Sequence, residues 1–139
     1  MPKRVMDNGV DWKNCPALDI REYIYDMPTV MAAADIVIGR AGSATCNEIG
    51  ASGTPCILIP SPNVTNNHQE KNAAILAAHG AAVVLHENTC DGALLYRTAK
   101  ELLADAPRRE KMRRSLRKLA VLDSTQRIYQ IITELAEAR

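Results

Sequence analysis

Gly39-Arg40-Ala41-Gly42-Ser43-Ala44-Thr45-Cys46-Asn47-Glu48 joins the apolar run Ile36-Val37-Ile38 to a helical pattern. A strand that enters a turn of small residues and then a helix can bring backbone N–H groups close to a phosphate. The helix N-terminus adds a favourable dipole there. Glu48 follows Gly42 by six residues, too far into the helix to cap it. A carboxylate in that place is suited to accept hydrogen bonds from sugar hydroxyls of a ligand whose phosphate sits at the turn. The constellation points to a nucleotide or nucleotide sugar, with its diphosphate at the turn and its ribose at the acid. The run is neither Gly-x-x-x-x-Gly-Lys-Ser/Thr nor a complete Gly-x-Gly-x-x-Gly, so it is not a P-loop or a standard dinucleotide fingerprint. The same kind of turn also serves packing alone in many doubly wound folds.

Elements able to position this turn follow from the rest of the pattern. Apolar runs at 18–24, 36–39, 56–60 and 82–85 read as strands, and the stretches 27–34, 44–52 and 67–79 between them read as helices. Such alternation predicts βαβ units and a parallel sheet buried on both faces, an α/β Rossmann-like fold. Asp26 before Met27-Pro28 marks a helix start, and Gly53 and Gly80 stand where C-terminal glycines belong. Beyond Asn88 the pattern turns helical. Asp91 caps a helix over 92–104, Pro107 opens the next, and Asp123 or Ser124 caps a last helix to Ala138. Residues 1–17 read as the end of a helix and a loop, with the domain proper at 18–139. A doubly wound domain usually opens on a strand, so the expectation is a chain that begins within its domain.

The 139 residues fit one domain with enough apolar content for a core. A net charge of +1 gives no global field directed at nucleic acid or anionic lipid. Cys15, Cys46, Cys56 and Cys90 are scattered without Cys-x-x-Cys pairing, which suits free thiols in a reducing cytoplasm and no metal site. No stretch approaches the roughly 18 apolar residues of a membrane span, and there is no signal-peptide core.

Three segments together resemble one family. They are Tyr23-Ile24-Tyr25-Asp26-Met27, Arg40 to Glu48, and Pro60-Ser61-Pro62-Asn63-Val64-Thr65-Asn66-Asn67-His68-Gln69-Glu70-Lys71-Asn72-Ala73. Their order and spacing are similar to the C-terminal half of the MurG family of bacterial peptidoglycan glycosyltransferases, over residues 18 to the C-terminus. The resemblance implies the larger part of a GT-B C-terminal donor domain, and an inverting transfer of N-acetylglucosamine from UDP-N-acetylglucosamine. The acceptor in that family is lipid I, undecaprenyl-pyrophosphoryl-N-acetylmuramoyl-pentapeptide, and the product is lipid II. An acceptor domain, and the Gly-Gly-Ser-type loop after the donor domain's first strand, have no counterpart in these 139 residues. The resemblance therefore implies a piece that is inactive alone, with membrane contact made mainly by the other domain on the inner face of the cell membrane.

Roles follow by resemblance, position by position. Glu48 holds the ribose hydroxyls; an ionised carboxylate accepts from both donors of a vicinal diol. Gly42, Ser43, Ala44 and Thr45 form the turn whose N–H groups meet the diphosphate. Gln69 contacts the hydroxyls of N-acetylglucosamine, with His68 beside it as either a sugar contact or a helix-start histidine bonded locally. Asn72 either meets the sugar or braces the loop. Ile24 matches the position whose main chain reads the uracil edge, and Arg40 suits a structural pair as well as a phosphate. No catalytic base is expected here, since the groups nearest the attacking C4 hydroxyl belong largely to the acceptor domain. The donor side stabilises the departing UDP through amides and a helix dipole. No Asp-x-Asp metal motif or cofactor is implied.

The basic stretch Arg108-Arg109-Glu110-Lys111-Met112-Arg113-Arg114-Ser115-Leu116-Arg117-Lys118 reads as a solvated helix face over a core-facing stripe of Met112, Leu116 and Leu119, rather than a lipid-binding helix. Two alternatives stand beside the main reading. One is a donor domain of another GT-B enzyme acting on a glycolipid or polyprenyl carrier. The other is a non-catalytic module that needs a separate acceptor-domain chain.

Overall fold

A computed structural model describes residues 14–137, so the expectations for residues 1–13 and for Ala138 lie outside the described residues. Three short strands, β1 (Val37–Gly39), β2 (Cys56–Leu58) and β3 (Ala82–Val84), pair in parallel in the order β1-β2-β3. Val37 stands opposite Cys56, and Cys56 opposite Ala82. The helices are α1 (Met27–Ala33), α2 (Ser43–Ser52), α3 (His68–Ala78), α4 (Gly92–Ala104), α5 (Ala106–Leu119) and α6 (Ser124–Glu137), with a 3-10 turn at Thr65–Asn67.

Side chains alternate across a strand, so β2 faces two cores. Cys56 and Leu58 pack with Met31, Ile49, Ala73, Leu76 and Leu116 on one face, beneath α1, α2, α3 and α5. Ile57 points the other way, to Leu102 of α4 and Met112 of α5. All three β2 side chains are fully buried, which is why this strand reads as a continuous apolar run. Met112 and Leu116 of the basic helix are buried as well, while Arg108, Lys111, Arg114, Arg117 and Lys118 are exposed.

Element ends carry chemical causes. Gly53 ends α2 at φ +68°, the left-handed conformation that favours glycine, and its N–H returns to the Ile49 carbonyl. Asp91 caps α4 by accepting from the Leu94 N–H at 2.7 Å. Asp105, absent from the sequence reading, caps α5 through the Arg108 N–H at 2.9 Å, with Pro107 in the first turn. Asp26 precedes α1 without a side-chain cap.

One expected strand is absent. Residues 18–24 are not in a ladder; Leu18 and Ile20 are half-exposed, and Asp19 pairs with Arg21 instead. Apolar alternation describes an extended half-exposed segment as well as a strand, and only a ladder partner separates them. The other strands are shorter than expected, although Ile59 N–H still donates to Gly39 and Leu85 N–H to Leu58, each at 2.9 Å. Pro60 cannot extend the ladder because it has no N–H.

Candidate functional site

The carboxyl ends of β1, β2 and β3 release the chain into Arg40–Gly42, Ile59–Asn67 and Leu85–Glu87, the edge where open α/β sheets hold ligands. Gly42 is the N-cap of α2 and has extended backbone, φ −66° and ψ 153°. That conformation is open to any residue. What glycine removes is a capping side chain, so the N–H groups of Ser43, Ala44 and Thr45 at the start of α2 are left for an outside acceptor.

Glu48 lies one turn further along α2, exposed, with no hydrogen bond or ion pair among the described residues. It shares a hollow of about 340 Å³ with Arg21, Glu22, Tyr23, Ile24 and Met27. Glu48 also lines a second hollow of about 540 Å³ together with Thr45, Arg40 and residues of α1 and β1. Glu48 is thus common to both hollows, with Ile24 in one and Thr45 and Arg40 in the other, and the Tyr23 ring meets Tyr25 edge-on at 4.7 Å between centroids.

The loop after β2 leads into α3, which carries the other candidate residues. Asn66 and Asn67 both have left-handed backbone, φ 56° and 51°, so α3 begins at His68 and not at Asn67. Asparagine tolerates this conformation better than other non-glycine residues, a signal the sequence reading passed over. His68 Nδ1–H donates to the Thr65 carbonyl at 2.8 Å, the local helix-start bond, and its Nε2 makes no hydrogen bond among the described residues. Gln69 Oε1 accepts from the Ser61 N–H at 2.9 Å, so its amide NH₂ is the half available to a ligand. Asn72 Nδ2 donates to the buried Ala41 carbonyl at 3.0 Å and so braces the turn.

Arg40 is held by its neighbours. Its Nη1 and Nη2 meet the two Glu87 carboxylate oxygens at 2.7 and 3.2 Å, and Nη1 also donates to the Ile59 carbonyl at 3.2 Å. These bonds raise the Arg40 pKa and lower that of Glu87. Of the two roles open to Arg40, the structure displays the structural pair. Glu87 was not singled out from sequence; one chain offers no signal linking positions 40 and 87.

Among the described residues no group of three or more His, Cys, Asp or Glu is placed to hold a metal ion. No helix among them is long and apolar enough to cross a membrane.

The profile of the glycosyltransferase family 28 C-terminal domain matches residues 3–128. The chain belongs to this family. It is 43% identical over 120 residues to the Acetivibrio thermocellus UDP-N-acetylglucosamine–N-acetylmuramyl-(pentapeptide) pyrophosphoryl-undecaprenol N-acetylglucosamine transferase, covering 86% of this chain and 32% of that protein. A Bacillus cereus protein of the same name is 37% identical over 134 residues, 96% of this chain and 37% of that one. The chain thus spans about a third of the length of these curated relatives. The crystal structure of Acinetobacter baumannii MurG superposes with a TM-score of 0.80 at 26% identity, over 95% of this chain and 39% of that one. A glycotransferase of kitacinnamycin, at 23% identity and a TM-score of 0.64, shares the fold.

Proposed function

We propose that this family 28 domain binds UDP-N-acetylglucosamine as the donor side of an inverting glycosyltransferase that converts lipid I to lipid II. The observation that carries the reading is the position of Glu48. It is exposed and unpaired among the described residues, in one hollow with Ile24 and in the next with Thr45. A nucleoside diphosphate laid along this line has its base at the Ile24 main chain, its ribose diol at Glu48 and its diphosphate at the α2 N-terminus. Its sugar then reaches the start of α3, where the Gln69 amide NH₂ and His68 Nε2 are available. The names of the relatives supply the sugar and the acceptor.

In this arrangement the chain contributes leaving-group stabilisation. Bond breaking at the sugar C1 puts charge on the diphosphate, and oriented N–H groups with a helix dipole stabilise that charge. The proton of the attacking hydroxyl leaves to groups of the acceptor domain, which also binds lipid I and meets the cytoplasmic face of the membrane. Positioning both substrates supplies much of such an enzyme's rate, so these 139 residues alone should give no lipid II.

Calorimetric titration of the purified chain with UDP, with and without EDTA, tests the donor site. Weak binding that EDTA leaves unchanged is expected. Binding only in the presence of magnesium or manganese would overturn the backbone cradle.

A further inference from the structure

We infer that Glu87 is a positioning residue of the donor site, acting through Arg40 to hold the turn after β1 and the loop after β2 in one arrangement. The inference rests on the donor-site reading for its functional consequence. Its structural basis is the place where the sheet ladder stops. The last ladder bonds run from Ile59 N–H to Gly39 and from Leu85 N–H to Leu58. Beyond them the three chains diverge into the segments that form the site, and strand pairing no longer fixes their spacing.

The Arg40 fork takes over at that point. It sits one residue past β1, bonds both carboxylate oxygens of Glu87 three residues past β3, and bonds the carbonyl of Ile59 one residue past β2. A planar guanidinium with two parallel bonds to a carboxylate sets direction as well as distance, which a lysine cannot do. Each held segment passes directly into a site element. Arg40 continues into Ala41, whose carbonyl is bound by Asn72, and then into Gly42 and Ser43. Ile59 continues into Pro60 and Ser61, whose N–H holds the Gln69 side chain. Glu87 thereby sets the distance between the diphosphate turn and the sugar-facing amide without touching either ligand group.

The pair is about half-exposed, 51% for the Arg40 side chain and 42% for Glu87. Exposed pairs add little to global stability, so a local effect can be separated from a general one. The test compares backbone amide exchange of the ligand-free chain with that of Glu87→Ala and Arg40→Lys. Exchange at the bonded amides of Cys46, Ile59 and Ser61 in these segments should rise about five-fold in both variants, with the melting temperature and the protection of α4 unchanged. UDP affinity of Glu87→Ala should fall about five- to ten-fold. Unchanged exchange at these segments would overturn the inference, and so would uniform loosening of the whole domain. Wild-type-like exchange in Arg40→Lys would also overturn it, because charge alone would then suffice. If the unmodified chain bound no UDP, the donor reading would fall, while the exchange comparison would still decide whether Glu87 positions these segments.

Discussion

Asn72, in the second turn of α3, donates its Nδ2 to the carbonyl of Ala41, 3.0 Å away and 31 residues earlier in the chain. Ala41 is fully buried, so its carbonyl has little access to water. The bond ties the turn that opens α2 to the helix that carries His68 and Gln69.

Replacing Asn72 by Ala should therefore cost about 1–3 kcal/mol of stability through the unsatisfied Ala41 carbonyl. Asn72→Asp should cost more, since a carboxylate cannot donate and would place charge against a carbonyl oxygen. Thermal unfolding of the two variants checks the order, and an Asp variant as stable as the wild type would contradict it.

Cys56 is fully buried in β2, its Sγ 3.6 Å from the Ala81 carbonyl, and burial pushes its thiol up to about 12. Burial also raises Cys46. A thiol reagent at mildly alkaline pH should leave Cys56 unmodified in the native chain and label it on unfolding. Linkage adds a sign. The folded-state pKa lies above the ordinary 9.0, so the contribution is full below about 9 and is lost as pH rises towards about 12. Mass spectrometry after brief labelling, and melts across that range, measure both effects.

Gly53→Ala should destabilise the domain by about 1 kcal/mol or more from the left-handed backbone alone. An added Cβ would also lie 3.4 Å from Arg117 Cγ and Nε, at the close edge of van der Waals contact. Gly80 has a similar φ of +63° but open space around it, so Gly80→Ala should carry only the backbone cost. Denaturant unfolding of the two variants separates strain from crowding.

Much of this was legible where a residue type has one physical use. Gly53 and Asp91 mark helix ends because a positive φ and an N-cap acceptor are local requirements. The buried run at Cys56–Leu58 and the turn into α2 follow from pattern in the same way. Residues 18–24 misled because apolar residues in an extended segment are compatible with half-exposure, whereas a strand depends on a partner elsewhere. The consecutive left-handed residues Asn66 and Asn67 were present in the signature run, but their backbone is set by the loop as a whole. Contacts such as Arg40 to Glu87 and Asn72 to Ala41 join positions far apart in the chain and leave no trace in its local pattern.

On the proposed reading Glu48 and Gln69 divide the ligand between them, and the division can be measured. Glu48 lines the hollow that includes Ile24, where the proposed reading puts the ribose of both UDP and UDP-N-acetylglucosamine. A hydrogen bond to a charged group contributes roughly 1.5–3 kcal/mol, so Glu48→Gln should weaken both ligands by about ten- to a hundred-fold. Gln69 is engaged by the Ser61 N–H through Oε1, so only its NH₂ is open to a ligand. Gln69→Ala removes that donor and frees the Ser61 N–H, which water can satisfy because Ser61 is only half-buried. UDP carries no hexose to meet the lost amide, so its dissociation constant should stay within about two-fold, while UDP-N-acetylglucosamine weakens by about 0.5–1.5 kcal/mol. Discrimination against sugar epimers should fall with it. The deciding quantity is the UDP dissociation constant of the two variants. If Gln69→Ala weakened UDP as much as Glu48→Gln did, the amide would be acting on the nucleotide, and the ribose–sugar division would be wrong.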